Sequence, residues 1–392
     1  MAEAMNYIDR LVAELCPDGV DFYTIDELIT LDFGTRITKS KDAGTIYPVY
    51  GGGGASFRTD NYNREDKYVV SRFAMSEKCV RYVSGKFWML DSGFTYSVKD
   101  ESLLSYKYIS YWLLNAQQEI YACSSQSAQR NLKTAEFKRF EVPVPPMEIQ
   151  EAIVEILDKF TNLEAELEAE LEARTLQYEY YRDSLFEALD CPRVPLGSFA
   201  QLVRGSGMPK TDFSESGVGA IHYGQIYTKF GTATAEVITH VPEEKAKKLA
   251  VVNPGDVIVA NTSENLEDVC KAVAWVGDSD IVTGGHATVI KAPEQNAKFI
   301  SYYMATGRFN KDKRRHAFGT KVIDVAPKNL AKIEFPVPPL EEQQRIVDIL
   351  DRFDALTSSL SEGLPAELAA RRSQYEYYRD QLLSFPRKGE NQ

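Results

Sequence analysis

FEVPVPPMEIQEAIVEILDKF, Phe140–Phe160, returns as IEFPVPPLEEQQRIVDILDRF, Ile333–Phe353. Pro143 and Pro336 stand 193 positions apart (336 − 143), and Gln150 and Gln343 keep that offset. Further on, RTLQYEYYRDSLF (Arg174–Phe186) matches RRSQYEYYRDQLL (Arg371–Leu383), now at an offset of 197 (375 − 178), so the second copy has gained four residues around SEGLPAEL. Val-Pro-Pro predicts an extended entry, because the residue before a proline avoids the α region. The acidic residues that follow suit a helix N-terminus. Apolar residues then recur at alternating spacings of three and four: Ile149, Ile153, Ile156, Phe160, Leu163 and Leu167, and in the second copy Ile346, Ile349, Phe353, Leu356 and Leu360. That spacing predicts a coiled-coil seam. From Met147 to about Leu185 the first helix is roughly 60 Å long at 1.5 Å per residue. Four extra residues make about one turn, so the second seam slips by only about 40°. Gly363 and Pro365 lie in that stretch and predict a kink or break.

Outward from the helices the repeat continues more faintly. IDELITLDFGTRITK (Ile25–Lys39) aligns with LGSFAQLVRGSGMPK (Leu196–Lys210), pairing Gly34 with Gly205 and Lys39 with Lys210. Tyr50 pairs with Tyr223, DKYVVSR (Asp66–Arg72) with GDVIVAN (Gly255–Asn261), and SGFTYSVK (Ser92–Lys99) with GGHATVIK (Gly284–Lys291). Short β-branched and aromatic runs bounded by Gly, Asn and Asp read as strands. The expected fold is α+β: two similar mixed α/β domains joined by two long antiparallel coiled-coil helices in a pseudo-twofold dumbbell. The expected divisions are a first domain over 1–145, a helix over 146–189, a second domain over 190–338, a helix over 339–385 and a disordered tail over 386–392. A shared skeleton with unshared loops is the pattern of one scaffold carrying two recognition surfaces.

With 392 residues, 44% hydrophobic and 26% charged, the chain has the composition of a globular protein of two or three domains. The start MAEAMNYIDR carries no leader pattern and no stretch has the ~18–20 apolar residues of a span, so a cytoplasmic location without membrane contact is expected. Five cysteines without a C-x-x-C pair argue against a disulfide framework or zinc site, and four scattered histidines lack ligand spacing, so no metal is expected. The net charge of −12 by itself argues against nucleic-acid binding. Its distribution reverses that reading: acid gathers in Glu164–Asp183, whereas base gathers in TRITKSK (Thr35–Lys41) and KDKRRH (Lys311–His316).

The PVPP-x-x-x-Q helix entry, the QYEYYRD-x-L helix end, the lead-in ELCPDGV (Glu14–Val20) and the variable–constant–variable–constant order together resemble the specificity subunits of type I restriction–modification enzymes, from about Tyr7 to Phe385. The resemblance implies that each variable domain is a target-recognition domain reading one half of a bipartite site in double-stranded DNA. It implies that the helices hold two modification subunits, which bind S-adenosylmethionine and methylate adenine, and that restriction subunits use ATP and magnesium to translocate and cut DNA. No cofactor is then expected in this chain, which would be non-catalytic.

The residues themselves agree on the absent chemistry. An amino-methyltransferase needs Asn/Asp-Pro-Pro-Tyr/Phe, but both Pro-Pro pairs here follow valine (Val144, Val337). GSGMPK (Gly205–Lys210) lacks the third glycine of a dinucleotide loop, and GGGG (Gly51–Gly54) lacks the Lys-Ser/Thr of a phosphate loop; it reads as a tight turn or a close backbone approach. Two other classes stay open at this point: a self-sufficient methyltransferase with a diverged cofactor loop, and a coiled-coil scaffold whose globular ends bind proteins.

Base reading needs Arg or Lys for guanine and Asn or Gln for adenine, and phosphate contact needs Lys, Arg, Ser, Thr or backbone N–H. On that basis the first domain offers Arg36, Lys39, Lys41, Tyr50, Arg72, Ser125, Gln129 and Arg130. The second offers Lys210, Tyr223, Gln225, Asn261, Thr262, Lys313, Arg314, Arg315, Thr320 and Lys321. Tyr178, Tyr181, Tyr375 and Tyr378 read as packing between the helices. The expected partner-binding positions are the repeat-matched Gln150, Tyr180 and Arg182 with Gln343, Tyr377 and Arg379.

Overall fold

The computed structural model describes residues 2–357 and 363–389. They gather into two units, one built from residues 2–166 with 369–389, the other from the chain between Leu167 and Leu368. In each unit the helix entry is pinned the same way. A strand leading into Pro-Pro pairs antiparallel with the strand that opens the domain: Glu141–Val144 with Asp21–Thr24, and Glu334–Pro336 with Arg193–Pro195. Ile25 N–H donates to Phe140 O at 2.9 Å, and Leu196 N–H donates to Ile333 O at 2.9 Å.

The first unit carries a six-stranded sheet in the order Ile29–Phe33, Gly93–Val98, Arg64–Ser71, Val80–Met89, Tyr47–Gly51, Gly54–Thr59. Its pairings are antiparallel except that Tyr47–Gly51 runs parallel to Val80–Met89. The second unit divides its strands between a five-stranded sheet (Gln201–Arg204, Ala287–Lys291, Val257–Ala260, Ala272–Trp275, Ala233–Thr234) and a four-stranded one (Thr239–Val241, Val218–Ile221, Ile281–Thr283, Ala250–Val252). Helices Tyr106–Asn115 and Ala297–Met304 lie at corresponding places and pack into the respective cores.

The helix expected over 146–189 runs from Met147 to Glu187 without interruption. The second copy forms helices Leu340–Thr357 and Gly363–Leu382, and Gly363 (φ +76°) and Pro365, where a kink or break is expected, open the second of these; residues 358–362, Leu360 among them, and the side chain of Leu356 lie outside the described residues. The seam needs correction. Ile149, Ile153, Ile156, Leu157 and Phe160 are buried in the first domain's own core, and Ile346, Val347 and Leu350 in the second's. Adjacent buried positions such as 156–157 and 346–347 widen the stripe, so that each helix packs on its own domain as well as along its neighbouring helix. From Thr161 to Gln177 no residue of the first helix is buried, and Leu163 is exposed; burial resumes at Tyr178, Arg182 and Phe186. Helix still meets helix within the first unit: Phe160 lies between Tyr375 and Tyr378, each ring 5.9 Å away, and Glu164 pairs with Arg372 at 2.6 Å. Four residues forward on one helix means a few residues back on the other, so these segments run antiparallel. In the second unit Tyr181 stacks on Phe353 at 5.7 Å.

Two further expectations change. Residues 386–389 of the tail expected to be disordered are ordered: Val20 N–H donates to Pro386 O, Lys388 N–H donates to Val20 O, and Arg387 pairs with Glu141 at 2.5 Å. Pairing with a strand end satisfies backbone groups there that would otherwise face only water. The alignment of SGFTYSVK with GGHATVIK is shifted by two. Gly34 N–H donates to Gly93 O and Gly205 N–H to Ala287 O, while Arg72 N–H donates to Ser92 O and Asn261 N–H to His286 O, so Ser92 answers His286.

Candidate nucleic-acid interface

In the first unit the loops at one sheet end are stitched together by backbone hydrogen bonds. Arg72 N–H donates to Ser92 O (2.8 Å), Leu132 N–H to Arg72 O (2.8 Å), Met75 N–H to Arg130 O (3.0 Å) and Thr35 N–H to Met89 O (2.9 Å). Ser71 Oγ donates to Gly52 O, and Gly52 N–H donates to Ser92 Oγ. A Cβ on Gly52 would sit 1.7 Å from Phe73 O, so the glycine run is the close backbone approach its composition suggests. The indole of Trp88 holds Thr35 O at 2.8 Å and so anchors the loop bearing Arg36.

The second unit builds the corresponding confluence with different side chains. Val325 N–H donates to Asn261 O at 3.0 Å, the counterpart of Leu132 on Arg72 and 193 residues later (325 − 132). A loop closed by paired residues precedes each of these amides: Ser124 bridges Leu132 in one unit and Phe318 bridges Asp324 in the other. Tyr223 lies against both His222 and His286 (4.4 and 5.1 Å between rings), and Thr262 Oγ1 is 3.1 Å from His286 Nδ1. Burial, Lys210 and His286 all push the His222 imidazole below its usual pKa, and its Nδ1 accepts from Gly224 N–H.

The candidates divide by burial. Arg36, Lys39, Lys41 and Gln129 are exposed on the first unit, and Lys210, Arg314, Arg315, Thr320 and Lys321 on the second. Half-buried Arg72 and Arg130 lie over aromatic rings, Phe33 and Phe73 for the former and Tyr121 for the latter. Ser125 accepts from Asn131 N–H and so shapes its own loop. Tyr50 packs edge-on against Phe87 within a strand, whereas Tyr223 opens the short helix Tyr223–Thr228, so that aligned pair does not hold equivalent places.

Four DNA candidates are corrected to structural roles. Asn261 is fully buried; its amide donates to Val325 O (2.6 Å) and accepts from Thr288 Oγ1 (2.7 Å). Lys313 is 2% exposed, and its ammonium donates to Glu267 O and Val269 O, both at 2.7 Å. Burial holds its pKa down. Gln225 closes a capping box with His222 and donates to Thr239 Oγ1 at 2.5 Å. Thr262 is buried against His286.

The partner candidates divide too. Gln150 and Gln343 are 0% and 1% exposed and spend their amides alike. Gln150 accepts from Ser105 N–H (2.9 Å) and donates to Leu103 O (2.9 Å) and Pro145 O (2.8 Å). Gln343 accepts from Asn296 N–H (2.9 Å) and donates to Gln295 Oε1 (2.7 Å) and Pro338 O (2.8 Å). Each latches its helix to its own domain, a correction to the partner role. A second duplicated clamp escaped the sequence reading. Asp158 takes Lys107 (2.5 Å) and Tyr111 OH (2.7 Å), as Asp351 takes Lys298 and Tyr302 OH (both 2.7 Å). Arg182 is buried over Tyr178 and paired with Asp183, while Arg379 lies over Tyr375 and donates to Asn115 Oδ1, so both serve their own unit. Tyr180 and Tyr377 remain outward, 70% and 59% exposed. Among the described residues no cluster of His, Cys, Asp and Glu is arranged to hold a metal, and no helix is long and apolar enough to cross a membrane.

Residues 17–173 and 192–370 each match the family model described as the type I restriction modification DNA specificity domain. The chain belongs to that family. Among its relatives, the specificity subunit of the type I restriction enzyme EcoR124I/EcoR124II of Escherichia coli is 30% identical, with 98% of each chain covered. A putative type I restriction enzyme specificity subunit of Haemophilus influenzae is 25% identical over 93% of this chain and 96% of its own. Among solved structures, a type I S subunit from M. genitalium shares the fold at a TM-score of 0.55 and 17% identity, covering 93% of this chain and 96% of that one. Membership in a family of type I specificity subunits, which are non-catalytic, displaces the readings of a self-sufficient methyltransferase and of a protein-binding scaffold.

Proposed function

We propose that this specificity subunit reads a bipartite site in double-stranded DNA, one half with each unit's loop confluence, and docks two modification subunits on its helices. The observation that carries the reading is the duplicated frame: the same backbone hydrogen bonds at Arg72 and Asn261 position loops that carry different side chains, as those two residues themselves show. A fixed frame with variable loops recognises two different sequences by one geometry. S-adenosylmethionine then belongs to the modification subunits, which methylate adenine, and ATP and magnesium to restriction subunits, all in the cytoplasm. Exposed Tyr180 and Tyr377 supply matched aromatic contacts for the two modification subunits.

Domain exchange tests this. Replacing residues 25–129 with the corresponding segment of a relative changes one half of the methylated motif, read by long-read sequencing of DNA from cells making the complex. A change in both halves, or in neither, refutes modular reading.

A further inference from the structure

We propose that Arg72 reads a guanine in the half-site recognised by the first unit, and that the second unit has no equivalent reader. The proposal rests on the DNA-reading function above and adds the base chemistry. Arg72 stands where the strand Arg64–Ser71 runs into the loop confluence. Its backbone is fixed on both sides, N–H to Ser92 O and O from Leu132 N–H, each at 2.8 Å. Its guanidinium lies 4.9 Å from the centre of the Phe33 ring and 4.6 Å from that of Phe73. Two rings hold the fork in one orientation before any ligand arrives, which reduces the entropy lost on docking.

Three neighbouring arginines are already engaged, and exposed Arg36 lies over no ring among the described residues that would hold its fork in place. Arg64 gives its guanidinium to Thr95 Oγ1 and to the carbonyls of Asn63, Asp32 and Phe33, and Arg81 donates to Gly51 O. Arg130 lies on Tyr121 and reaches Ser124 Oγ at 3.4 Å. The guanidinium of Arg72 has no hydrogen-bond or carboxylate partner among the described residues. A positioned, unspent fork matches guanine O6 and N7, the two adjacent acceptors of the major-groove edge. At the same backbone place in the second unit, Asn261 turns inward and is spent on Val325 O and Thr288 Oγ1, so that half is read by other groups.

The test selects bound duplexes from a randomised DNA library with the complex of this chain and its modification subunits. Three chains are compared: unchanged, Arg72→Ala and Arg72→Lys, the last keeping the charge but not the fork. The expected result is a two-part site from the unchanged chain, with discrimination lost at one guanine in one half only. The loss expected for a bidentate contact is about 5- to 150-fold. Arg72→Lys fails at the same base while retaining overall affinity, and the intact second half shows that both variants are folded. A two-part site whose guanines are indifferent to both substitutions overturns the assignment and leaves the two-half reading standing. Selection of no two-part site by the unchanged chain overturns that reading and the assignment with it.

Discussion

Replacing Gln150 with leucine separates a latch from a docking residue. The substitution keeps the approximate volume but removes one acceptor and two donors, stranding Ser105 N–H and the carbonyls of Leu103 and Pro145. At about 1 kcal/mol for each of the three bonds, the helix entry loses about 3 kcal/mol of local stability. That is a factor of roughly 150 in the opening equilibrium, at about 1.4 kcal/mol per tenfold. Hydrogen exchange read by mass spectrometry reports the effect where it occurs. Amides in 103–109 and 147–153 lose protection by about two orders of magnitude, while those in 294–300 and 338–346 do not change. Gln343→Leu gives the mirror result, because its partners Asn296, Gln295 and Pro338 all lie in the second unit. Unchanged protection in Gln150→Leu together with weakened modification-subunit binding would refute the latch and restore the docking role.

Three other outcomes follow from the same geometry. The His222 pKa is lowered in the folded chain by burial, Lys210 and His286, with Phe213 and Tyr223 packed on the ring. The unfolded chain therefore binds the proton first, and the stabilisation is complete above about pH 6.5 and lost as pH falls below it through the folded value. Protection factors of the amides in 222–228, taken against the intrinsic exchange rate at each pH, should fall over that range, and Lys210→Ala should shrink the effect. Asp351→Asn leaves Lys298 without its carboxylate but keeps an acceptor for Tyr302; a loss of about 1 kcal/mol in the second unit is expected by denaturant titration, matched by Asp158→Asn in the first. With a net charge of −12, the isolated chain should shift duplex DNA weakly in a gel and gain affinity and selectivity when modification subunits are added; strong selective binding by the chain alone counts against this.

Much of the scaffold was legible in the sequence because it is duplicated within one chain. The Pro-Pro entries, the Gln at a fixed distance behind them and the QYEYYRD ends recur at nearly constant offsets. Periodicity then marks which residues face the core, since i, i+3 and i+4 share a helix face whatever surrounds them. The exposed loop cations and the outward Tyr180 and Tyr377 follow from the same local rules.

The fate of individual polar side chains did not follow, because it depends on partners remote in sequence. Lys313 reads as one more base in KDKRRH, yet the carbonyls of Glu267 and Val269 draw it inside. Asn261 reads as an adenine reader, yet Val325 O lies 64 residues away in sequence and needs its donor. Gln150 and Gln343 carry a repeat signal that latches and docking residues share equally. The two-residue shift between Ser92 and His286 was invisible for a different reason: an even shift along a strand leaves every side chain on the same face, so alternation cannot detect it. The sequence by itself determined the repeat, the helices and the shared face of Ile149, Ile153, Ile156 and Phe160, since these are set by local spacing. Only the tertiary structure decided that Phe33, Arg72 and Phe73 form one stack, because backbone hydrogen bonds between separate loops bring those rings to a single guanidinium.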